Sequence, residues 1–423
     1  MLRRKGICKL IQFSSSTFVT TQFYGGGSFP SRCFSSRSDS SRRFAALWGN
    51  GDYGRLGLGS LESKWRPAIC SFLDDDDIPL SIACGGAHTL FLTEKGRVFS
   101  SGFNNFGQLG TQPGTTHILE PLEIVGFPTS VVKISAGYYH SAAITEDGKL
   151  FMWGRNSSGQ LGLGKKSSNI VSKPARVDSL VEFHIEGVAL GSDHTIAITD
   201  KGQALSWGDG GSGKLGHGLQ YGILGFPKGL REYMPRLIAH FGDVKITKIA
   251  AGLLHSACID ENGSVFVFGE PGFRNTDNTS NPSIVNDLPF SEDVACGGYH
   301  TCAVTHGGLH VWGSNENGCL GFRSSGIFKN PERIEGSVMN TSVSEVSCGW
   351  KHTAAICDGK VFTWGWGGTN GSFFEEEHSS GGQLGHGSDL DSFQPMMVNL
   401  GRNYKALQVS CGFNHTAAIV ECT

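Results

Sequence analysis

The sequence predicts an all-β protein built as a seven-bladed β-propeller, and three observations carry that prediction. A Gly-x-x-His step occurs seven times, ending at His88, His140, His194, His255, His300, His352 and His415. A second-strand end also occurs seven times, at Trp48-Gly49, Ser101-Gly102, Trp153-Gly154, Trp207-Gly208, Phe268-Gly269, Trp312-Gly313 and Trp364-Gly365. The two series are offset: Phe44–Trp48 has no His strand before it, and His415–Ile419 has no Trp strand after it. Joined, the two ends complete one unit, so the array closes by strand pairing between its termini and loses its open edge.

Residues 134–162 show the unit best. An apolar strand follows His140, Asp147-Gly148 makes a tight turn, a second strand ends at Trp153-Gly154, and a Gly-Gln-Leu-Gly phrase closes the copy. Asn262-Gly263 and Asp358-Gly359 repeat the turn chemistry, which suits hairpins because these pairs tolerate positive φ. The 61 glycines and 39% hydrophobic residues therefore describe a regular repeat rather than a low-complexity chain. At 423 residues, two or three ordinary domains would be expected, but a repeat overrides that count. No apolar run approaches the ~20 residues that cross a bilayer, and the chain reads as soluble.

Residues 1–43 differ from the rest. They carry eight basic residues (Arg3, Arg4, Lys5, Lys9, Arg32, Arg37, Arg42, Arg43), one acid, Asp39, and ten serines. Leu2, Ile7, Leu10 and Ile11 can form an apolar face opposite the first four cations. This composition is that of an organellar transit peptide, and Arg32-Cys33-Phe34-Ser35-Ser36 suggests mitochondrial processing after Phe34. A basic tail that binds nucleic acid or a membrane surface is the other reading of the segment. Residues 44–423 form the propeller and hold 27 basic and 37 acidic residues, a net charge of −10. Affinity for nucleic acid comes mostly from phosphate neutralisation, so an acidic body argues against general RNA or DNA binding.

Twelve cysteines invite a disulfide reading, but Cys84, Cys296, Cys348 and Cys411 share one repeat position. Equivalent positions point alike rather than at one another. No Cys-x-x-Cys pair supplies the usual zinc spacing, so core thiols in a reducing compartment are expected. The seven histidines sit on seven blades and cannot converge on one ion; each is expected to bond a neighbouring backbone group. Trp48, Trp153, Trp207, Trp312 and Trp364 are expected to pack between blades. Gly208-Asp209-Gly210-Gly211-Ser212-Gly213-Lys214 spells most of a phosphate-binding loop, but Leu215 stands where the magnesium-binding hydroxyl belongs. No nucleotide site, cofactor or metal ion is expected, and no paired-carboxylate or convergent ligand set supports an enzyme.

The period is mostly 52–54 residues, and the Trp is followed by Gly. The pattern Gly-x-x-His-[Ser/Thr]…Trp-Gly-x-Asn-x-x-Gly-Gln-Leu-Gly resembles the regulator-of-chromosome-condensation repeat family across about residues 44–423. With the basic leader, the chain looks like a plant-type mitochondrial member. That resemblance implies that the residues inside each Gly-x-x-His step face one side of the ring or its central mouth. They are Gly86-Ala87, Tyr138-Tyr139, Ser192-Asp193, Leu253-Leu254, Gly298-Tyr299, Trp350-Lys351 and Phe413-Asn414. An aromatic and apolar set of this kind suits a protein-binding surface; packing between blades is the competing use.

In the family's nuclear exchange factor this face carries acids that engage a small GTPase. Asp193 matches one such position, but Tyr138 replaces the acid of the preceding copy. In the ultraviolet-B photoreceptor branch several copies read Gly-Trp-Arg-His. Here only Trp350-Lys351-His352 approaches that, so photoreception is not expected.

Loops are the second source of variation. The link after Trp364-Gly365 is lengthened by about ten residues and contains Phe373, Phe374, Glu375, Glu376 and Glu377, a candidate docking element or a solvated acidic loop. Residues 270–285 have lost the Gly-x-Leu-Gly element, 217–240 form a long connection made locally basic by Lys228, Arg231 and Arg236, and Asp74–Asp77 reads as a solvated acidic turn.

The resemblance implies a non-enzymatic, monomeric scaffold of the mitochondrial matrix. Organellar relatives are associated with RNA processing, ribosome assembly and respiratory-complex biogenesis. Support of intron splicing, and thereby of complex I, is the expected role, with guanine-nucleotide exchange on an organellar GTPase as the alternative. Expected partners are mitochondrial proteins, splicing factors or a GTPase among them; direct RNA binding stays open.

Overall fold

Seven four-stranded antiparallel sheets account for the computed structural model, which describes residues 42–423 except 74–76, 112–113, 219–230, 271–279, 307, 337–341 and 369–380. The expectations for the leader up to residue 41, and for Phe373 to Glu377, fall outside the described residues. So does most of the acidic turn at 74–77. Blade 1 consists of Pro79–Cys84, His88–Thr93, Val98–Phe103 and His117–Ile124, from the innermost strand outward. Blades 2 to 6 repeat that order along the chain. Blade 7 is the composite predicted from the offset ends. Tyr404–Cys411 and His415–Cys422 come from the C-terminus, Arg43–Gly49 and Lys64–Ile69 from the N-terminus. Its closing register runs from Gly49 opposite His415 to Arg43 opposite Glu421.

The molecule has no single central core. Seven clusters of buried apolar side chains lie one at each junction between blades. Trp153 sits between blades 1 and 2 against Leu90, Leu92 and Ile124. Trp207, Trp312, Trp364 and Trp48 hold the corresponding places at four further junctions. Four of these indoles donate Nε1–H to a carbonyl of the preceding link at 2.9 Å: Trp153 to Gln108, Trp207 to Gln160, Trp364 to Cys319 and Trp48 to Gln383.

The histidines do something other than bond a backbone group. Each Nε2 meets the hydroxyl of the Ser or Thr that follows the histidine of the next blade, and the series closes on itself. His88 meets Ser141, His140 Thr195, His194 Ser256, His255 Thr301, His300 Thr353, His352 Thr416 and His415 Thr89, at 2.9–3.3 Å. At six of these joints the hydroxyl also donates to the link carbonyl at 2.6–2.8 Å. A hydroxyl has one hydrogen and a carbonyl can only accept. The histidine must therefore supply the other hydrogen, which fixes the Nε2–H tautomer and leaves Nδ1 bare.

Two glycines of the repeat are sterically obligatory around this joint. A Cβ on Gly85 would come within 2.3 Å of the His88 ring, and Gly49, at φ +109°, would place one 2.7 Å from the His415 Cα. The innermost strands are sheet edges, and their free N–H groups are capped from the preceding blade: Ser347 accepts from Cys411, Ser410 from Cys84, and Gln408 from Ile82. Nine described cysteines are free thiols.

Burial pushes His88, His140, His300 and His352 down to about 3 and His255 to about 4, and holds His194 and His415 well below the ordinary value. Groups whose folded value lies below the unfolded value of about 6.5 stabilise the fold above that pH and stop doing so as pH falls, because the unfolded chain takes up the protons first. Each buried histidine then loses about 1.4 kcal/mol by pH 5.5, about 10 kcal/mol for the ring, which rivals the whole stability of a typical domain. Circular dichroism against pH should show cooperative unfolding between about pH 6.5 and pH 5; an unfolding temperature unchanged across that window would contradict the relay.

Candidate functional site

The repeat that builds the ring also fixes where its variable residues go. In six of the seven copies the first residue of the Gly-x-x-His pair donates its N–H to the step glycine of the next blade, as in Tyr138 to Gly191 and Phe413 to Gly85. These first residues ring the mouth of an axial cavity whose walls are the seven step glycines. The second residue of each pair accepts, through its carbonyl, the N–H of the residue just after the second-strand glycine. Ala87 takes Phe103, Tyr139 takes Arg155, Asp193 takes Asp209, and Lys351 takes Trp366. Both variable positions therefore share one face, the first at the mouth and the second one step outward.

On that face the aromatic residues join in one seam. From Tyr53, which is 42% exposed, ring centroids lie 4.7 Å from Phe103, then 6.2 Å to Tyr139, with Phe106 4.7 Å from Tyr139. The seam continues from Tyr139 to Tyr138 at 4.2 Å, to Phe413 at 5.1 Å, to Trp350 at 4.3 Å and to Trp366 at 5.5 Å. Phe413 and Trp350 are stacked, 11° apart. It crosses the mouth from blade 2 to blade 6 and is half-buried along most of its length. Cations border it: Arg155 over Phe106 and Tyr139, Lys351 over Trp350, and the buried Arg55 beside Tyr53. Burial, then Tyr139, raises the Tyr138 phenol, so it stays neutral at physiological pH.

The structure thus gathers Tyr138, Tyr139, Trp350, Lys351 and Phe413 into one surface and leaves the other candidates beside it. Ser192 is buried and donates to the Leu253 carbonyl; Asp193 lies 3.7 Å from Arg155 and accepts from Gln160. Leu253, Leu254, Tyr299 and Asn414 are half-buried on blades 4, 5 and 7 and enter none of these ring contacts. The sequence does not single out Tyr53, Phe103, Phe106, Trp366 or Arg155. Three of them follow the second-strand glycine directly, a position that reads Asn50, Phe103, Arg155, Asp209, Glu270, Ser314 and Trp366 and varies as much as the pairs do. In the phosphate-loop look-alike, Lys214 is buried and bonded to Asp209, and no α-helix follows among the described residues.

A family model described as RCC1-like domain matches residues 45–418. Ultraviolet-B receptor UVR8 of Arabidopsis thaliana is 30% identical to this chain, over 88% of it and 70% of that protein. RCC1 domain-containing protein RUG3, mitochondrial, of the same organism is 32% identical over 65% of this chain, and the match spans 62% of that relative. Secretion-regulating guanine nucleotide exchange factor of Mus musculus is 31% identical over 72% of this chain and 70% of its own length. The crystal structure of human WBSCR16 superposes with a TM-score of 0.76 over 91% of this chain and 100% of that one; at 23% identity it speaks to the fold.

Phe413 touches rings on both sides, so its loss should be felt in stability as well as on the surface. Phe413→Ala should cost about 1–2 kcal/mol, less than a fully buried ring because the site is half-open. A shift in the denaturation midpoint at constant slope would measure it; no shift would mean the seam is not a packed unit.

Proposed function

The chain belongs to the RCC1-like domain family, and on that premise we propose that it is a non-enzymatic interaction platform of the mitochondrial matrix. Its task is to support organellar transcript maturation, intron splicing above all, and thereby respiratory complex I. The seam from Tyr53 to Trp366 is the observation that carries the platform reading. It is an aromatic surface of the type that anchors protein partners, and it is assembled from positions the fold leaves free to vary. The transit-peptide composition of residues 1–43 and the likeness to RUG3, a protein described as mitochondrial, support the location. With a net charge of −10 on residues 44–423, the platform acts through protein partners rather than by gripping RNA.

Affinity purification of the tagged chain from mitochondria, with and without ribonuclease, tests this. Partners should survive ribonuclease and be lost from a Tyr139→Ala, Trp350→Ala double variant. Partners that vanish with ribonuclease, or tight RNA binding by the purified propeller at physiological salt, would overturn the indirect role.

The second reading, guanine-nucleotide exchange, is favoured by the likeness to an exchange factor and by Asp193 on the face. Such a factor deforms its partner's nucleotide site and needs none of its own. Release of fluorescent GDP from a matrix GTPase, accelerated by this chain and abolished by Asp193→Ala, would establish it. No acceleration with any matrix GTPase would remove it.

A further inference from the structure

Blade 5 departs from its sisters at one buried position. Two residues past the histidine, the other six copies carry Leu90, Ala142, Ile196, Ala257, Ala354 and Ala417, whereas blade 5 carries Cys302. Residues two apart on a strand share a face, so Cys302 lies alongside His300. Across the junction, Cys348 ends the innermost strand of blade 6. Its Sγ is 3.4 Å from the Cys302 Sγ, and the donor atoms of His300, Cys302 and Cys348 all lie within 4.8 Å of one another. Among the described residues no other group of this kind forms.

We propose that His300, Cys302 and Cys348 form a Cys2His site for a divalent, thiophilic metal ion of the zinc class, which ties blade 5 to blade 6. Tetrahedral coordination with Zn–S bonds of about 2.3 Å sets two sulfurs about 3.8 Å apart, a small movement from their present separation. His300 is already oriented by its bond to Thr353, and its Nδ1 has no hydrogen-bond partner among the described residues, so it carries a free lone pair. An outer-shell bond that holds a ligating imidazole in this way is a regular feature of metal sites. Cys302 is fully buried, but Cys348 lines the axial cavity, which gives the ion a path in and a water a place as fourth ligand.

Charge selects the class of ion. Binding releases one proton from each thiol, and two thiolates with a divalent ion sum to zero. A monovalent copper ion would leave a net negative charge in a buried pocket, where unpaired charge is costly. The cysteines are far apart in sequence and meet only because neighbouring blades bring them together, so no ligand spacing announces them.

Cobalt(II) serves as a coloured surrogate for zinc. Titrated into the full chain in phosphine reductant, it should give a saturable thiolate-to-cobalt charge-transfer band at one ion per chain, bleached by zinc. Cys302→Ala and Cys348→Ala place at each site a residue that sister copies already carry there, so both variants should fold. Each should lose the band and weaken zinc binding by more than about tenfold. No saturable band from the full chain, or equal binding by the folded variants, would overturn the site.

Discussion

The structure rests on a hydrogen-bond relay that runs once around the ring. At each joint an imidazole N–H donates to a hydroxyl, and at the six fully described joints that hydroxyl donates to the carbonyl of the Gly-Gln-Leu-Gly link or its counterpart. In four links the same carbonyl also accepts from the indole of the next blade. Repeated groups from two neighbouring copies thus meet at one point between two blades. The site is buried, so an unmet donor or acceptor there would cost more than the bond itself contributes. That asymmetry explains why the His, the following Ser or Thr, and the link recur together. The joint between His415 and Thr89 makes closure of the ring chemically the same as every other junction.

The fold was legible because the relay forces repetition. Seven histidines and seven strand ends gave the blade count, and the offset termini gave the composite blade. The hydroxyl partner was also present in the sequence, as the Ser or Thr after each histidine, but the contact lies between copies. A repeat read one copy at a time shows what precedes and follows a residue, not what stands on the next blade. Sequence alone for that reason points the histidine to a backbone partner. The same blindness hid half of the aromatic seam. Tyr138 and Tyr139 stood out within their own copy, whereas Phe103, Phe106 and Trp366 become a surface only beside their neighbours.

Frame and function are therefore separated by geometry. The relay and the junction clusters occupy buried positions that admit few residues. The pair before each histidine and the residue after each second-strand glycine are placed by main-chain bonds, and only some of their side chains, such as Ser192, Asp193 and Asp209, make bonds of their own. Backbone contacts of that kind fix where a side chain starts without restricting what it is. One face can hence vary freely on a rigid ring, and its aromatic arc from blade 6 across blade 7 to blade 2 is one outcome of that freedom.

The tautomeric state of the histidines tests the relay most directly. With 15N-labelled histidine, the imidazole nitrogens report separately whether each carries a proton. The relay predicts neutral rings at neutral pH with protonated Nε2 and bare Nδ1 at all seven joints, their Nε2–H protons slow to exchange with water. Nδ1–H tautomers, or Nε2–H protons that exchange as fast as those of surface histidines, would contradict it.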